Sequence, residues 1–134
     1  MNNKIFVRPL RTIQLTLVFL WFYQGLIPKI LFQSVNEIII WQNMGFELTL
    51  AKILVGLSGL AEILFGFLFI KWNQSIVLHS LNILGLSALF LLIMMTDPLQ
   101  LTTAFNPVVM NIAMLMLSVL AIQLIQLQKA ALSH

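Results

Sequence analysis

The sequence contains no cysteine and very little charge. Without a thiol, the chain cannot use disulfide exchange, thiolate catalysis, a thiolate-bound iron–sulfur cluster or covalent haem attachment. Charged residues make up only 8% of its 134 residues, whereas a soluble domain carries about 25%. Such a chain cannot cover a compact surface with polar groups in water. Its 60% hydrophobic content and mean hydropathy of +1.02 therefore indicate that it folds in lipid.

Four long apolar runs predict an all-α fold, an up-down bundle of four transmembrane helices in a single domain, residues 1–134. Each run has about the 20 residues that a helix needs to cross a bilayer, and lipid offers no partner for open backbone groups. The basic N-terminal segment imitates a signal peptide but lacks a cleavage site, so we expect the first span to be retained. We place the spans at about residues 12–30, 48–70, 75–95 and 107–128.

Local signals mark two helix boundaries and one further helix. Pro98 ends the third span, because proline cannot continue the hydrogen-bond ladder, and Asn106 followed by Pro107 is a helix start. Between the first two spans, apolar residues recur at roughly helical spacing: Val35, Ile38, Ile39 and Trp41. We expect a short helix in the membrane interface there, and an extended loop folded over the bundle is the alternative.

The basic residues predict the orientation, because the side richer in lysine and arginine faces the cytoplasm. One side of the predicted bundle carries Lys4, Arg8, Arg11, Lys71 and Lys129. The other side carries Lys29, Lys52, Glu37, Glu47 and Asp97. Both termini are therefore predicted to be cytoplasmic. These basic residues lie in short flanks between apolar runs, which argues against nucleic-acid binding.

Glu62 is an acidic residue deep inside the second predicted span. An ionisable group at membrane depth is costly and is a functional candidate by default. It shares one stripe of its helix with two glycines and two apolar residues: Val55, Gly59, Gly66 and Phe69. Since glycines allow another backbone to approach closely, we expect the Glu62 carboxyl to face protein.

Depth along the helices suggests neighbours for Glu62. At about 1.5 Å per residue, three residues of the other spans reach similar depths: Trp21, Asn82 and Ser118. His79 lies one turn before Asn82 on the same helical face, somewhat nearer the cytoplasm. We expect these five residues to form one polar pocket in the cytoplasmic half of the bundle. Two interpretations stay open: a site for a small molecule or a proton, and a hydrogen-bond network that only holds the helices in register.

Lys29 and Asn111 form a second polar layer nearer the outer side. Since Glu62 lies more than about 10 Å deeper by the same helical rise, the expected partners of Lys29 are other carboxylates: Glu47, Glu37 and Asp97. A lysine that extends to the interface is the alternative.

We expect neither haem nor a metal. A membrane b-type haem needs two strong axial ligands, and the second histidine, His134, is far from His79 in the sequence. His79 and Glu62 alone supply too few ligands for a metal ion.

Three segments, in this order, resemble the DoxX-like family of small four-helix membrane proteins. They are WFYQGLIPK at 21–29, GLAE at 59–62 followed by Gly66, and NPVVMN at 106–111. The positions characteristic of that family correspond to Gly25, Lys29, Glu62, Asn106, Pro107 and Asn111. The resemblance implies a bacterial inner membrane. Relatives include a subunit of a thiosulfate:quinone oxidoreductase, proteins tied to redox stress and animal proteins that assist receptor assembly.

The residues and the resemblance together suggest an accessory component of a membrane redox system that binds a quinone or another lipophilic small molecule near Glu62. The alternative is a non-catalytic interaction or assembly protein whose polar network is purely structural. A proton or ion pathway is a third hypothesis. Whether the chain is an enzyme stays open; if so, it would be a subunit of a quinone-linked oxidoreductase. The expected partners are the bilayer, a lipophilic small molecule, and another protein or a second copy.

Overall fold

A computed structural model describes residues 4–104 and 106–133 of the chain, and Met1–Asn3 and His134 lie outside these described residues. The described part contains five α-helices: α1 (Lys4–Gln24), α2 (Val35–Asn43), α3 (Leu48–Lys71), α4 (Ile76–Thr96) and α5 (Pro107–Leu132). A π-helical segment, Gly25–Leu31, continues α1, and a 3₁₀ segment, Pro98–Thr102, follows α4.

Four of these helical stretches are long and apolar enough to cross a membrane: Ile5–Leu31, Leu48–Lys71, Ile76–Thr96 and Pro107–Leu132. The prediction of a four-span helical bundle is therefore confirmed, and the described residues contain no strand. We call the end of the bundle with the α3–α4 turn the Lys71 end, and the opposite end the Asp97 end.

The predicted helix boundaries have the expected local causes. Asn106 caps α5, since its Oδ1 accepts a hydrogen bond from the Val109 backbone N–H at 3.1 Å. α4 ends at Thr96, two residues before Pro98. The connection between the first two spans contains α2, so the prediction of a short helix there is confirmed.

Helices α1 and α3 approach each other closely at two glycines. A Cβ atom added at Gly59 would lie 2.6 Å from the Gly25 carbonyl oxygen and 2.8 Å from Lys29 Cβ. Only glycine leaves room for backbones this close. The stripe predicted on α3 is buried at Val55, Gly59, Gly66 and Phe69, which confirms that this face of the helix packs on protein.

This glycine contact also sets the relative height of α1 and α3. Gly59 lies beside Lys29, near the end of the first helical stretch. From that level α3 extends 11 residues further toward the Asp97 end, from Gly59 to Leu48, which is about 16 Å at 1.5 Å per residue. The helix α2 covers that stretch, with Ile38 packed in one cluster with Ala51 and Val55. At the Asp97 end, a nine-residue helix therefore takes the place of a spanning helix beside α3.

Candidate functional site

A buried ion pair joins α3 to the π-helical segment. Lys29 Nζ donates a hydrogen bond to Glu62 Oε1 at 2.5 Å, and Glu37 Oε2 of α2 lies 3.6 Å from the same nitrogen. The side chains of Lys29 and Glu62 are only 9% and 13% exposed, and that of Glu37 is 24% exposed. Two carboxylates thus share one ammonium group, and this cluster carries a formal charge of −1.

The prediction that Lys29 lies too far from Glu62 to pair with it is wrong. It assumed that the first helix ends at the membrane surface, so that Lys29 would lie near the outer face. The contact with Gly59 instead places Lys29 one helical turn from Glu62. Of the three predicted partners, Glu37 does contact Lys29.

These charged groups line a cavity of about 370 Å³ in the half of the bundle nearer the Asp97 end. This volume falls in the range of sites for small molecules, which are usually apolar with a few polar groups. Most of its wall is built from α1, α2, α4, α5 and the π-helical segment. The apolar and aromatic lining residues include Tyr23, Ile40, Trp41, Leu89, Ile93 and Met110.

Two amides of this wall bond to each other. Gln24 Nε2 donates to Asn111 Oδ1 at 2.7 Å, and both side chains are buried. The second polar layer predicted at Lys29 and Asn111 therefore meets Glu62 in one cavity. Gln24 is a residue that the sequence argument missed. The sequence feature that could have identified it is a glutamine within an apolar run, three residues after Trp21.

The other predicted site residues form a separate buried cluster. Trp21 Nε1 donates to Asn82 Oδ1 at 2.9 Å, and Asn82 Nδ2 donates to Ser118 Oγ at 2.7 Å. His79 Nδ1 lies 3.2 Å from the same hydroxyl. All four residues are at most 5% exposed, and none of them is among the residues that line the cavity in the described part of the chain.

The prediction that five residues form a single pocket is therefore wrong for one of them, because Glu62 does not join this cluster. Two aromatic residues of α3 pack against the cluster. The Phe65 ring lies 5.1 Å from Trp21, and the Phe69 ring lies 5.2 Å from His79, measured between ring centroids. Glu62 lies one turn nearer the Asp97 end and points to Lys29.

The residues available for chemistry are few. Within residues 4–104 and 106–133, no group of three or more His, Cys, Asp or Glu side chains could hold a metal ion. The cavity offers instead one ammonium, two carboxylates, four amides and two serine hydroxyls beside an aromatic and aliphatic wall. Such an arrangement can bind and orient the polar head of an apolar molecule.

Four apolar helices around buried polar groups define a multi-pass membrane protein. The model of the DoxX-like family matches residues 18–119, and the chain belongs to that family. This finding confirms the resemblance seen in the three sequence segments. No curated protein and no solved structure matches the chain.

Proposed function

We propose that the protein binds an uncharged lipophilic molecule with a polar head, such as a quinone, in the cavity beside Glu62. The cavity carries this proposal, because its volume, its mostly apolar wall and its few convergent polar groups are typical of a ligand site. The suggestion that the protein is an accessory component of a membrane redox system comes from the family resemblance.

The polar groups have distinct roles in this proposal. The Lys29 ammonium can donate a hydrogen bond to a ligand carbonyl, since it carries three N–H groups and contacts only two carboxylates among the described residues. The amides of Gln24 and Asn111 can offer both donors and acceptors. Trp41 and Tyr23 supply aromatic surface to a flat ring.

The alternative function, an interaction or assembly protein with a structural polar network, is supported by the cluster around Ser118. Its members bond to one another across α1, α4 and α5 and are closed to solvent. Such bonds hold helices in register and need no ligand. We therefore assign the cluster a structural role in either function.

We further propose that the protein lies in a bacterial inner membrane with both termini in the cytoplasm. Lys29 is buried in an ion pair, so it no longer counts among the flanking charges of the Asp97 end. The Asp97 end then has one flanking basic residue, Lys52, against five toward the Lys71 end, and the bias of basic residues toward the Lys71 end is stronger. Reporter fusions at Asn73 should report the cytoplasm, and fusions at Asn43 the outside; the reverse pattern would refute this orientation.

The binding proposal is tested by filling the cavity. Ile40 lines it from α2, whereas the adjacent Ile39 does not. Native mass spectrometry of the purified protein with decyl-benzoquinone should show a bound adduct. Ile40→Trp should weaken the adduct at least about tenfold, because the larger ring occupies the site, and Ile39→Trp is the matched control. Equal adducts for the two variants would refute binding in this cavity, and the absence of any adduct with the unchanged protein would refute quinone binding.

A further inference from the structure

Among the charged groups of the cavity, hydrogen-bond acceptors outnumber hydrogen-bond donors. The two carboxylates of Glu37 and Glu62 present four acceptor oxygens, each with two lone pairs. Among the described residues, the cation that forms an ion pair with both carboxylates is the single ammonium of Lys29. The second oxygen of Glu62, Oε2, is buried and has no hydrogen-bond partner in the described part of the chain. The charged part of the cavity therefore has a surplus of acceptors.

A state of the protein that leaves a buried hydrogen-bond acceptor without a donor is less stable than one that pairs it. A ligand that itself only accepts hydrogen bonds, such as a quinone carbonyl, leaves this surplus unchanged. A ligand with a hydroxyl group can donate to a carboxylate, and such a charge-assisted bond is roughly twice as strong as a neutral one. The terminal torsion of glutamate is soft, so a rotation can turn either oxygen of Glu62 toward the cavity.

We infer that the cavity selects ligands whose head group is an uncharged hydroxyl donor, and that it binds the hydroquinone form of a quinone pair in preference to the quinone. Glu62 and Glu37 are the acceptors. An uncharged donor suits the site better than an organic cation, because no ligand charge has to be removed from water. This inference rests on the proposed function, since it assigns the ligand class of the same cavity.

A competition experiment measures the preference directly. The purified protein is mixed with equal amounts of decyl-hydroquinone and its dimethyl ether, which has the same ring and chain but no donor, and the two adducts are compared by native mass spectrometry. Decyl-benzoquinone replaces the ether in a second mixture. We expect the hydroquinone adduct to exceed each competitor about tenfold, the effect of one hydrogen bond to a charged acceptor.

Variants identify the acceptor. Glu62→Gln keeps the size of the side chain and removes its charge, and Glu37→Gln does the same at a more exposed position. Either change should reduce the preference to about threefold or less. Glu47→Gln is the matched control, since Glu47 precedes α3 and does not line the cavity; it should keep the full preference.

The outcomes separate the inference from the proposed function. If none of the three compounds binds, the proposed function fails and the inference fails with it. If all three bind equally, the cavity is a ligand site but the donor preference is wrong. A preference that survives in both Glu62→Gln and Glu37→Gln would also overturn the inference, because the carboxylates would not be the acceptors.

Discussion

Substitution of Gly59 by alanine tests the close contact that sets the relative position of α1 and α3. The added Cβ would lie 2.6 Å from the Gly25 carbonyl oxygen, whereas ordinary contacts begin near 3.4 Å. The nearest atom belongs to the backbone, so no side-chain rotation relieves the clash. The helices must separate by about 0.8 Å, and overpacking of this kind typically costs about 1–3 kcal/mol.

Gly56 provides the matched control on the same helix. A Cβ added there meets no atom within 4 Å. Both substitutions gain the same helix propensity, about 0.8–1.0 kcal/mol for glycine to alanine. That gain cancels when the two variants are compared, so the difference between them isolates the clash.

We therefore expect Gly59→Ala to be about 1–3 kcal/mol less stable than Gly56→Ala. The measurement is the free energy of unfolding in mixed micelles, followed by circular dichroism as denaturing detergent is added. The Lys29–Glu62 bond should weaken as well, because the same Cβ would lie 2.8 Å from Lys29 Cβ. A difference below about 0.5 kcal/mol, within the usual scatter of surface substitutions, would refute this account of the α1–α3 contact.

Two further predictions concern buried polar groups. Lys29→Met should destabilise the protein by about 3–5 kcal/mol, because it leaves Glu62 buried without its cation. Adding Glu62→Leu should recover most of this loss. The control Lys52→Met, at an exposed lysine of the same bundle, should change the stability little. Trp21→Phe should cost about 1–2 kcal/mol, since it removes the donor to Asn82 and some buried area; an equal loss for Trp72→Phe, at a residue 52% exposed, would contradict that explanation. Both comparisons use the same unfolding measurement.

The helices and their buried faces could be predicted because local patterns determine them. Long apolar runs predicted the four spans. Asn106 and Pro107 predicted the start of α5, and periodic apolar residues predicted α2. The stripe on α3 showed that Glu62 faces protein. These features depend on residues close together in the sequence, where propensity and periodicity apply directly.

The partner of Glu62 could not be predicted, because it depends on the relative position of α1 and α3 along the bundle axis. Depth estimates assume that each apolar run begins at the membrane surface, yet the Gly25–Gly59 contact shifts α1 toward the Lys71 end. The π-helical segment adds a second effect. Five residues separate Gln24 from Lys29, a rotation of about 140° in an α-helix. The i→i+5 bonding of a π-helix reduces that rotation, and both residues line the cavity.

The ion pair also has a consequence for the synthesis of the protein. Lys29 precedes Glu62 by 33 residues, so at about 5–20 residues per second the first span waits roughly 2–7 seconds for its partner. Lys29 is the third residue from the end of the first spanning stretch, Ile5–Leu31, so it adds less to the cost of insertion than the about 2.5–3.5 kcal/mol of a lysine at the centre of a helix. Glu37 leaves the ribosome only eight residues after Lys29 and can neutralise it in the interval. The first span is therefore expected to stay near the translocon until α3 arrives, which couples the insertion of the two helices.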